Sequence, residues 1–175
     1  MTFIKESDEV YYTDGPILTV EASDIQFLKD RARENPRRRV RLCAHPDVND
    51  TLHEMLIVHA KSNYVQPHKH LGKSESFHII EGRLCIVLFD DNGNATGEIP
   101  MAEAGSGQAF YYRLSESRFH TVVPLSDWVV FHEVTNGPFD RTETVFAPWA
   151  PADDDDDTAQ QVFLKTLLSE GQADG

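Results

Sequence analysis

The segment Tyr64–Gly82, YVQPHKHLGKSESFHIIEG, places two histidines and a glutamate within eight positions. Side chains at i and i+2 of an extended strand lie on one face, so we expect His68 and His70 to present two imidazoles side by side. The polar run that follows lets the chain bend and bring Glu75 back toward the same point. Two imidazole nitrogens and a carboxylate suit a divalent transition metal such as Fe, Mn, Ni or Zn. The alternative is a polar loop with surface histidines, and the spacing favours the metal.

The composition of the whole chain limits the classes of function. Its 175 residues suit a single domain, residues 1–175, with a sizeable core. The formal net charge is -13, part of it in the run Asp153–Asp157, which argues against binding to nucleic acid or to anionic membrane surfaces. The N-terminal residues contain no apolar signal segment, and no apolar run approaches the length of a membrane span. We therefore expect a soluble, cytoplasmic protein with a small-molecule ligand. Cys43 and Cys85 lie in apolar runs outside any CxxC motif, which predicts buried free thiols.

Most of the chain has the pattern of an all-β domain. Between residues 39 and 152, short β-prone runs alternate with turn signals, and Asp91–Asn94 is a strong hairpin signal. This spacing favours a sandwich or barrel over βαβ units. Several runs are apolar on both faces and need to be covered by a second sheet, a helix or a partner subunit. Residues 1–38 are an N-terminal extension with a helix that begins at Ser23, where Gln26 completes a capping box. Residues 153–175 combine the acidic run with a C-terminal helix.

The basic residues Arg37, Arg38, Arg39 and Arg41 form a cluster after the predicted N-terminal helix. The cluster is either a solvated patch at the end of a helix, where cations are favoured, or an anion site for a phosphate or carboxylate substrate. The sequence leaves both interpretations open.

A fourth metal ligand has to come from a later strand. His120 is the best placed, because it begins a strand after a polar turn, as the first two histidines do. His78 follows Glu75 by three positions, so strand alternation directs it to the opposite face. His53 and His59 share parity on one strand, and they either line a pocket or are ordinary strand residues. No catalytic acid or base outside the metal ligands is identifiable from the sequence.

At this point the sequence resembles the cupin superfamily. Two stretches carry the resemblance: the first cupin motif as His68-x-His70-x4-Glu75-x6-Gly82, and the histidine of the second motif as His120 followed at the fourth position by Pro124. The strings PHKH, KSESF, LCIVLFDDNG, NGPFD and FAPWAP look like the WbuC-type cupin-fold metalloproteins, which accompany bacterial surface-polysaccharide gene clusters. This closer resemblance runs from about Arg39 to Ala152.

The resemblance implies a jelly-roll barrel, also called a double-stranded β-helix, with a metal bound in its interior. It implies that the ligands are His68, His70, Glu75 and His120. It also implies action on a sugar or other small polar metabolite, such as isomerisation or epimerisation next to a carbonyl. An Fe-dependent dioxygenase and a non-catalytic, metal-dependent binding or regulatory module are the alternatives.

Strand parity offers further pocket candidates. Gln66 and Phe77 share the parity of the predicted ligands, and Tyr112 lies in the aromatic strand before the last of them. The same parity is expected of ordinary core residues, so these three are either pocket residues or core packing. The resemblance to cupins, many of which associate through sheet edges, also leads us to expect a homodimer, which the apolar strands would allow.

Overall fold

The computed structural model describes residues 3–61 and 63–170. In chain order, the elements are β1 (Phe3–Lys5), β2 (Val10–Thr13), α1 (Ala22–Glu34), β3 (Arg39–Cys43), β4 (Leu52–Ala60), β5 (His68–His70), β6 (Glu75–Glu81), β7 (Arg83–Phe89), β8 (Ala95–Ala102), β9 (Tyr111–Leu114), β10 (Phe119–Pro124), β11 (Trp128–Asn136), a 3-10 turn (Arg141–Glu143), β12 (Thr144–Phe146) and α2 (Asp157–Glu170).

The described strands form two sheets. The strand order is β1-β2-β3-β4-β11-β6-β9 in the first sheet and β12-β5-β10-β7-β8 in the second. Neighbouring strands are antiparallel except β2 and β3, which run parallel. Within the described residues, no pair of named strands is hydrogen-bonded between the sheets. The protein is therefore mostly β with two facing sheets, and the closed barrel stays a prediction.

Strand alternation buries one face of each sheet in a shared core. Phe77 and Phe131 come from the first sheet, and Leu84 and Ile86 come from the second. Burial of large side chains on facing strands contributes about 1.5–3 kcal/mol for each residue. Cys43 lies in this core, and both it and Cys85 are free and buried, as predicted. This layer holds the sheets together and frames the cavity described below.

The two helices cover the outer faces of the sheets. Leu28 and Ala32 of α1 pack with Val40 and Val58 on the first sheet. This contact explains why β3 and β4 carry apolar residues on both faces. A backbone N–H at Glu21 donates to the Asp24 carboxylate at 2.8 Å. The helix thus begins one residue before the predicted Ser23 and is capped by a different pair, because acidic side chains also satisfy free N–H groups at a helix start.

The second helix has the same role on the other side. Leu164 and Leu167 of α2 pack against Val87 and Phe89 of β7, which accounts for the doubly apolar run LCIVLF. The predicted C-terminal segment extends to residue 175, and residues 171–175 lie outside the described part of the chain. Among the described helices, none has the length and apolar character needed to cross a membrane.

Candidate metal centre

Strand pairing brings His120 next to the two histidines of β5. In the second sheet β5 lies between β12 and β10, and the register places His68 directly opposite His120. His70 lies two residues further along β5 and shares the face of His68, as the i, i+2 spacing predicts. The ring centroids of His68 and His120 are 4.7 Å apart. One ligand nitrogen from each of the three rings lies within 4.8 Å of the others, so the group is suited to hold a metal ion.

All three imidazoles have Nδ1 next to an oxygen atom. The partners are the main-chain oxygen of Gln66 for His68 (2.9 Å), that of Arg118 for His120 (3.0 Å) and the hydroxyl of Thr144 for His70 (3.2 Å). A carbonyl oxygen only accepts hydrogen bonds, so Nδ1 of His68 and His120 carries the proton. Nε2 then offers its lone pair, which is the arrangement that orients imidazoles in metal sites.

Glu75 adjoins two of these imidazoles from the neighbouring sheet. Its side chain is only 3% exposed. Oε1 lies 2.8 Å from Nε2 of His120, and Oε2 lies 3.5 Å from Nε2 of His70. Yet neither Oε1 of Glu75 nor Nε2 of His120 makes a hydrogen bond of acceptable geometry. Poorly satisfied buried polar atoms cost about 1–3 kcal/mol each, so these two neighbouring atoms fit the joint coordination of one cation.

The electrostatics of the group agree with its geometry. Burial lowers the pKa of His68 to about 4, so this ring is neutral and able to coordinate at neutral pH. Burial by itself would raise the pKa of Glu75, but the adjoining His120 outweighs it and lowers that pKa. At His120 burial acts to lower the pKa, but the adjoining Glu75 carboxylate outweighs it and raises that pKa. A proton on Nε2 of His120 would therefore compete with a metal ion for the place next to the Glu75 carboxylate.

A cavity of about 740 Å³ opens next to these histidines. His68 and His70 line it, and so does Gln66, which was predicted as a pocket residue. The other two candidates, Phe77 and Tyr112, are buried in the core between the sheets, with ring centroids 5.6 Å apart. The hydroxyl of Tyr112 has no hydrogen-bond partner, and burial together with the charge of Glu75 raises its pKa. The functional role of these three side chains stays a prediction.

Other histidines lie where strand alternation directs them. His53 and His59 are buried and line the cavity, so the pocket alternative is the one the structure shows. His78 is exposed on the other face of its strand, where its ring lies 5.7 Å from that of Phe110. It therefore lies away from the metal group.

Glu133 of β11 lines the cavity but was not predicted from the sequence. Burial and the charge of Glu75 raise the pKa of its carboxyl group, while Arg41 opposes this. Glu133 pairs with Phe77 in the sheet, and its neighbour Thr135 pairs with Glu75. Strand parity could have identified Glu133 as an inward-facing residue, because it shares a face of β11 with the apolar residues Val129 and Phe131.

Comparisons with known proteins give a family match of limited extent. A family model described as "Domain of unknown function (DUF6016)" matches residues 20–101, which is less than half of the chain. The matched part contains His68, His70 and Glu75 and ends before His120. No match was found among curated proteins.

Several solved structures resemble this chain at low identity. Protein SO0799 from Shewanella oneidensis is 10% identical, with a TM-score of 0.48 over 74% of this chain and 76% of that one. The capsular polysaccharide assembling protein CapF from Staphylococcus aureus is 20% identical, with a TM-score of 0.46 over 56% of this chain and 27% of CapF. A sugar phosphate isomerase from a cupin superfamily, from Silicibacter pomeroyi, is 18% identical, with a TM-score of 0.41 over 50% of this chain and 52% of that one. The chain thus spans about a quarter of CapF and half of the isomerase.

Proposed function

We propose that this protein is a metal-binding cupin of the WbuC type that acts on a sugar or other small polar metabolite in bacterial surface-polysaccharide metabolism. In this proposal His68, His70, Glu75 and His120 hold one divalent transition metal. The observation that carries it is the engagement of Nδ1 in all three imidazoles, which leaves Nε2 of each ring for a shared cation. The motif spacing in the sequence and the unpaired atoms of Glu75 and His120 support the same ligand set.

The position of the site supports chemistry over a purely structural role. Two of the proposed ligands, His68 and His70, line the cavity, whereas Glu75 and His120 are almost fully buried behind them. A metal held by this set is reachable from the cavity on one side. Structural zinc sites are closed by four protein ligands, whereas catalytic sites keep a position for substrate or water.

The proposed reaction class is isomerisation or epimerisation next to a carbonyl. A bound divalent metal would polarise the substrate carbonyl. Glu133 is the candidate to take up and return a proton. It lines the same cavity, and it lies two residues along β11 from Thr135, which pairs with Glu75. A partly buried carboxyl group with a raised pKa is suited to proton transfer near neutral pH.

Metal analysis of purified variants tests the ligand set. His70→Ala and His120→Ala are expected to lose most of the metal that the wild-type protein retains after dialysis. His78→Ala is the matched control, since it removes an exposed imidazole from the same stretch of sequence and is expected to retain the metal. Loss of metal from His78→Ala together with retention by His120→Ala would overturn the ligand assignment.

Exchange of substrate hydrogen tests the reaction class. Metal-loaded protein is incubated in D2O with a panel of aldoses and ketoses, and deuterium at the carbon next to the carbonyl is followed by NMR. We expect deuterium incorporation with the wild-type protein and little with Glu133→Gln at unchanged metal content. Substrate-dependent O2 uptake without exchange would indicate the dioxygenase instead. Binding with neither reaction would indicate a ligand-binding module.

A further inference from the structure

Two arginines of the basic cluster after α1 form ion pairs with acidic side chains. Arg37 and Arg39 share the same two carboxylates: Glu9 lies 2.6 Å from Arg37 and 3.0 Å from Arg39, and Asp153 contacts both guanidinium groups. Two positive and two negative charges therefore cancel at this point. Asp153 is the first residue of the acidic run, so the run contributes to the structure by binding the cluster.

Arg41 differs from these two neighbours. Within the described residues, no carboxylate lies within salt-bridge distance of its guanidinium group, and its exposed side chain lines the cavity beside the metal group. On β3 it shares a face with Cys43, whose side chain lies in the core between the sheets. Among the described arginines that line the cavity, Arg41 is thus the one without a carboxylate at salt-bridge distance; the Glu133 carboxyl group, which feels its charge, lies further away and has a raised pKa. In a protein of net charge -13, such a local cation is the feature that favours an anionic ligand.

The strand registers place Arg41 at a defined distance from the metal group. Three successive rows cross β11 on the cavity face: the first contains Glu75, the second contains Glu133, and the third contains Arg41. Residues two apart along a strand are separated by about 6.8 Å, so the first and third rows lie about 14 Å apart along the strand direction, and β3 and β6 are also separated by β4 and β11. Arg41 and the proposed ligands His68 and His70 line the same cavity of about 740 Å³, which has room for a small metabolite between them.

The cavity wall also has unpaired hydrogen-bonding atoms, one toward each end: His53 lies in the row of Glu75, and His59 lies one row beyond that of Arg41. Nε2 of His53 and Nδ1 of His59 are buried and have no hydrogen-bond partner. Both side chains come from β4, are more than nine-tenths buried and line the cavity. Burial lowers the pKa of His59 to about 3, so its ring is neutral at neutral pH and able to accept or donate a hydrogen bond. Neutral imidazoles of this kind suit the hydroxyl groups of a ligand.

We infer that the cavity binds a small polyhydroxylated oxyanion whose carboxylate or phosphate group pairs with the guanidinium of Arg41. The unpaired Nε2 of His53 binds a hydroxyl group toward the metal end, the unpaired Nδ1 of His59 forms a hydrogen bond toward the oxyanion end, and the carbonyl end faces the metal ligands. This inference rests on the proposed function, because it concerns the substrate of the same site. It narrows that substrate from any small polar metabolite to a sugar acid or a sugar phosphate. A guanidinium group recognises both oxyanions through paired N–H donors.

Isothermal titration with three probes tests the inference. The probes are glucuronate, glucose 6-phosphate and uncharged glucose, each titrated into metal-loaded full-length protein. We expect at least one anionic probe to bind about 10- to 100-fold more tightly than glucose, the range expected for a charge-assisted hydrogen bond. The stronger of the two anions identifies the carboxylate or the phosphate as the preferred group.

Variants of the basic cluster locate the anion. Arg41→Gln is expected to bring the affinity for the anion down to that for glucose, while metal content stays unchanged. Arg41→Lys keeps the charge without the paired donors and is expected to give an intermediate affinity. Arg38→Gln is the matched control, because Arg38 belongs to the same cluster but does not line this cavity. Equal losses in Arg41→Gln and Arg38→Gln, or no preference of the wild-type protein for either anion, would overturn the inference.

Titration of the metal-free protein separates this inference from the proposed function. If the protein fails to retain any added metal and still prefers the anion in a way that depends on Arg41, the inference is supported and the metal site is contradicted. Metal retention without an anion preference would contradict the inference alone. Thermal melts of every variant establish that the folded protein is being compared.

Discussion

His120 and Glu75 are in contact across the two sheets, with Nε2 and Oε1 2.8 Å apart and neither atom in a well-formed hydrogen bond. The two residues are 45 positions apart, and both are almost fully buried. Their opposite pKa shifts have one cause, since each stabilises the charged form of the other. A proton and a divalent metal therefore compete for the same place.

This competition predicts proton release on metal binding. The Glu75 carboxylate raises the pKa of His120, so its ring keeps a proton to a higher pH than an ordinary imidazole, and metal uptake should release protons. Titration of metal in buffers of different ionisation enthalpy measures the number released. Glu75→Gln removes the carboxylate that raises the pKa, so it should bind metal more weakly and release fewer protons. Equal proton release by the wild-type protein and Glu75→Gln would contradict the coupling.

A second prediction concerns the turn between β6 and β7. Gly82 has φ of 82°, and a Cβ atom there would lie 2.2 Å from the main-chain oxygen of Trp128. Gly82→Ala should therefore lower the free energy of unfolding by about 3–5 kcal/mol, from strain and overlap together. Gly107→Ala is the control, because φ there is 87° with no atom within 4 Å of the added carbon, and about 1–2 kcal/mol is expected. Urea unfolding measures both, and similar losses would contradict the close approach to Trp128.

Acid stability provides a third prediction. The pKa of His59 is about 3 in the folded protein, against an ordinary value of 6.5 in the unfolded chain. Between these values the unfolded chain binds a proton that the folded protein does not, so stability falls as the pH drops from 6.5 toward 3. The upper limit is about 1.4 kcal/mol for each pH unit. His59→Leu should flatten this dependence in urea unfolding at pH 6.5, 5.5 and 4.5. An unchanged dependence of stability on pH would show that His59 is not buried in the neutral form. His78→Ala, which removes an exposed imidazole, is the control.

A fourth prediction tests the ion pairs at the basic cluster. Asp153→Asn leaves Arg37 and Arg39 with Glu9 as their shared carboxylate, so the free energy of unfolding should fall by about 1 kcal/mol at low salt. The loss should shrink at high ionic strength, because these charges are partly exposed and screened by salt. Asp154→Asn, one position further along the acidic run, should have little effect. Equal effects of the two substitutions would indicate that only the net charge of the run matters.

Local patterns were sufficient to predict much of the fold. Alternation of apolar residues and regular turn signals predicted a mostly β chain, and the amphipathic ends predicted two helices. Alternation also directed His68 and His70 to one face and His78 to the other, because the side-chain direction in a strand is fixed by the backbone of that strand alone. The helix start was misplaced, since several polar residues near Ser23 can cap a helix and the sequence does not rank them.

The sequence by itself determined which residues are suited to bind a metal and which faces of the strands they occupy, because both follow from residue type and strand periodicity. Only the tertiary structure decided what surrounds them. Pairing of strands far apart in the chain set Glu133 near Glu75, and contacts with Glu9 and Asp153 neutralised Arg37 and Arg39 while leaving Arg41 facing the cavity. The charge and protonation of a side chain depend on its neighbours in space, and long-range strand pairing, rather than local sequence, brings those neighbours together.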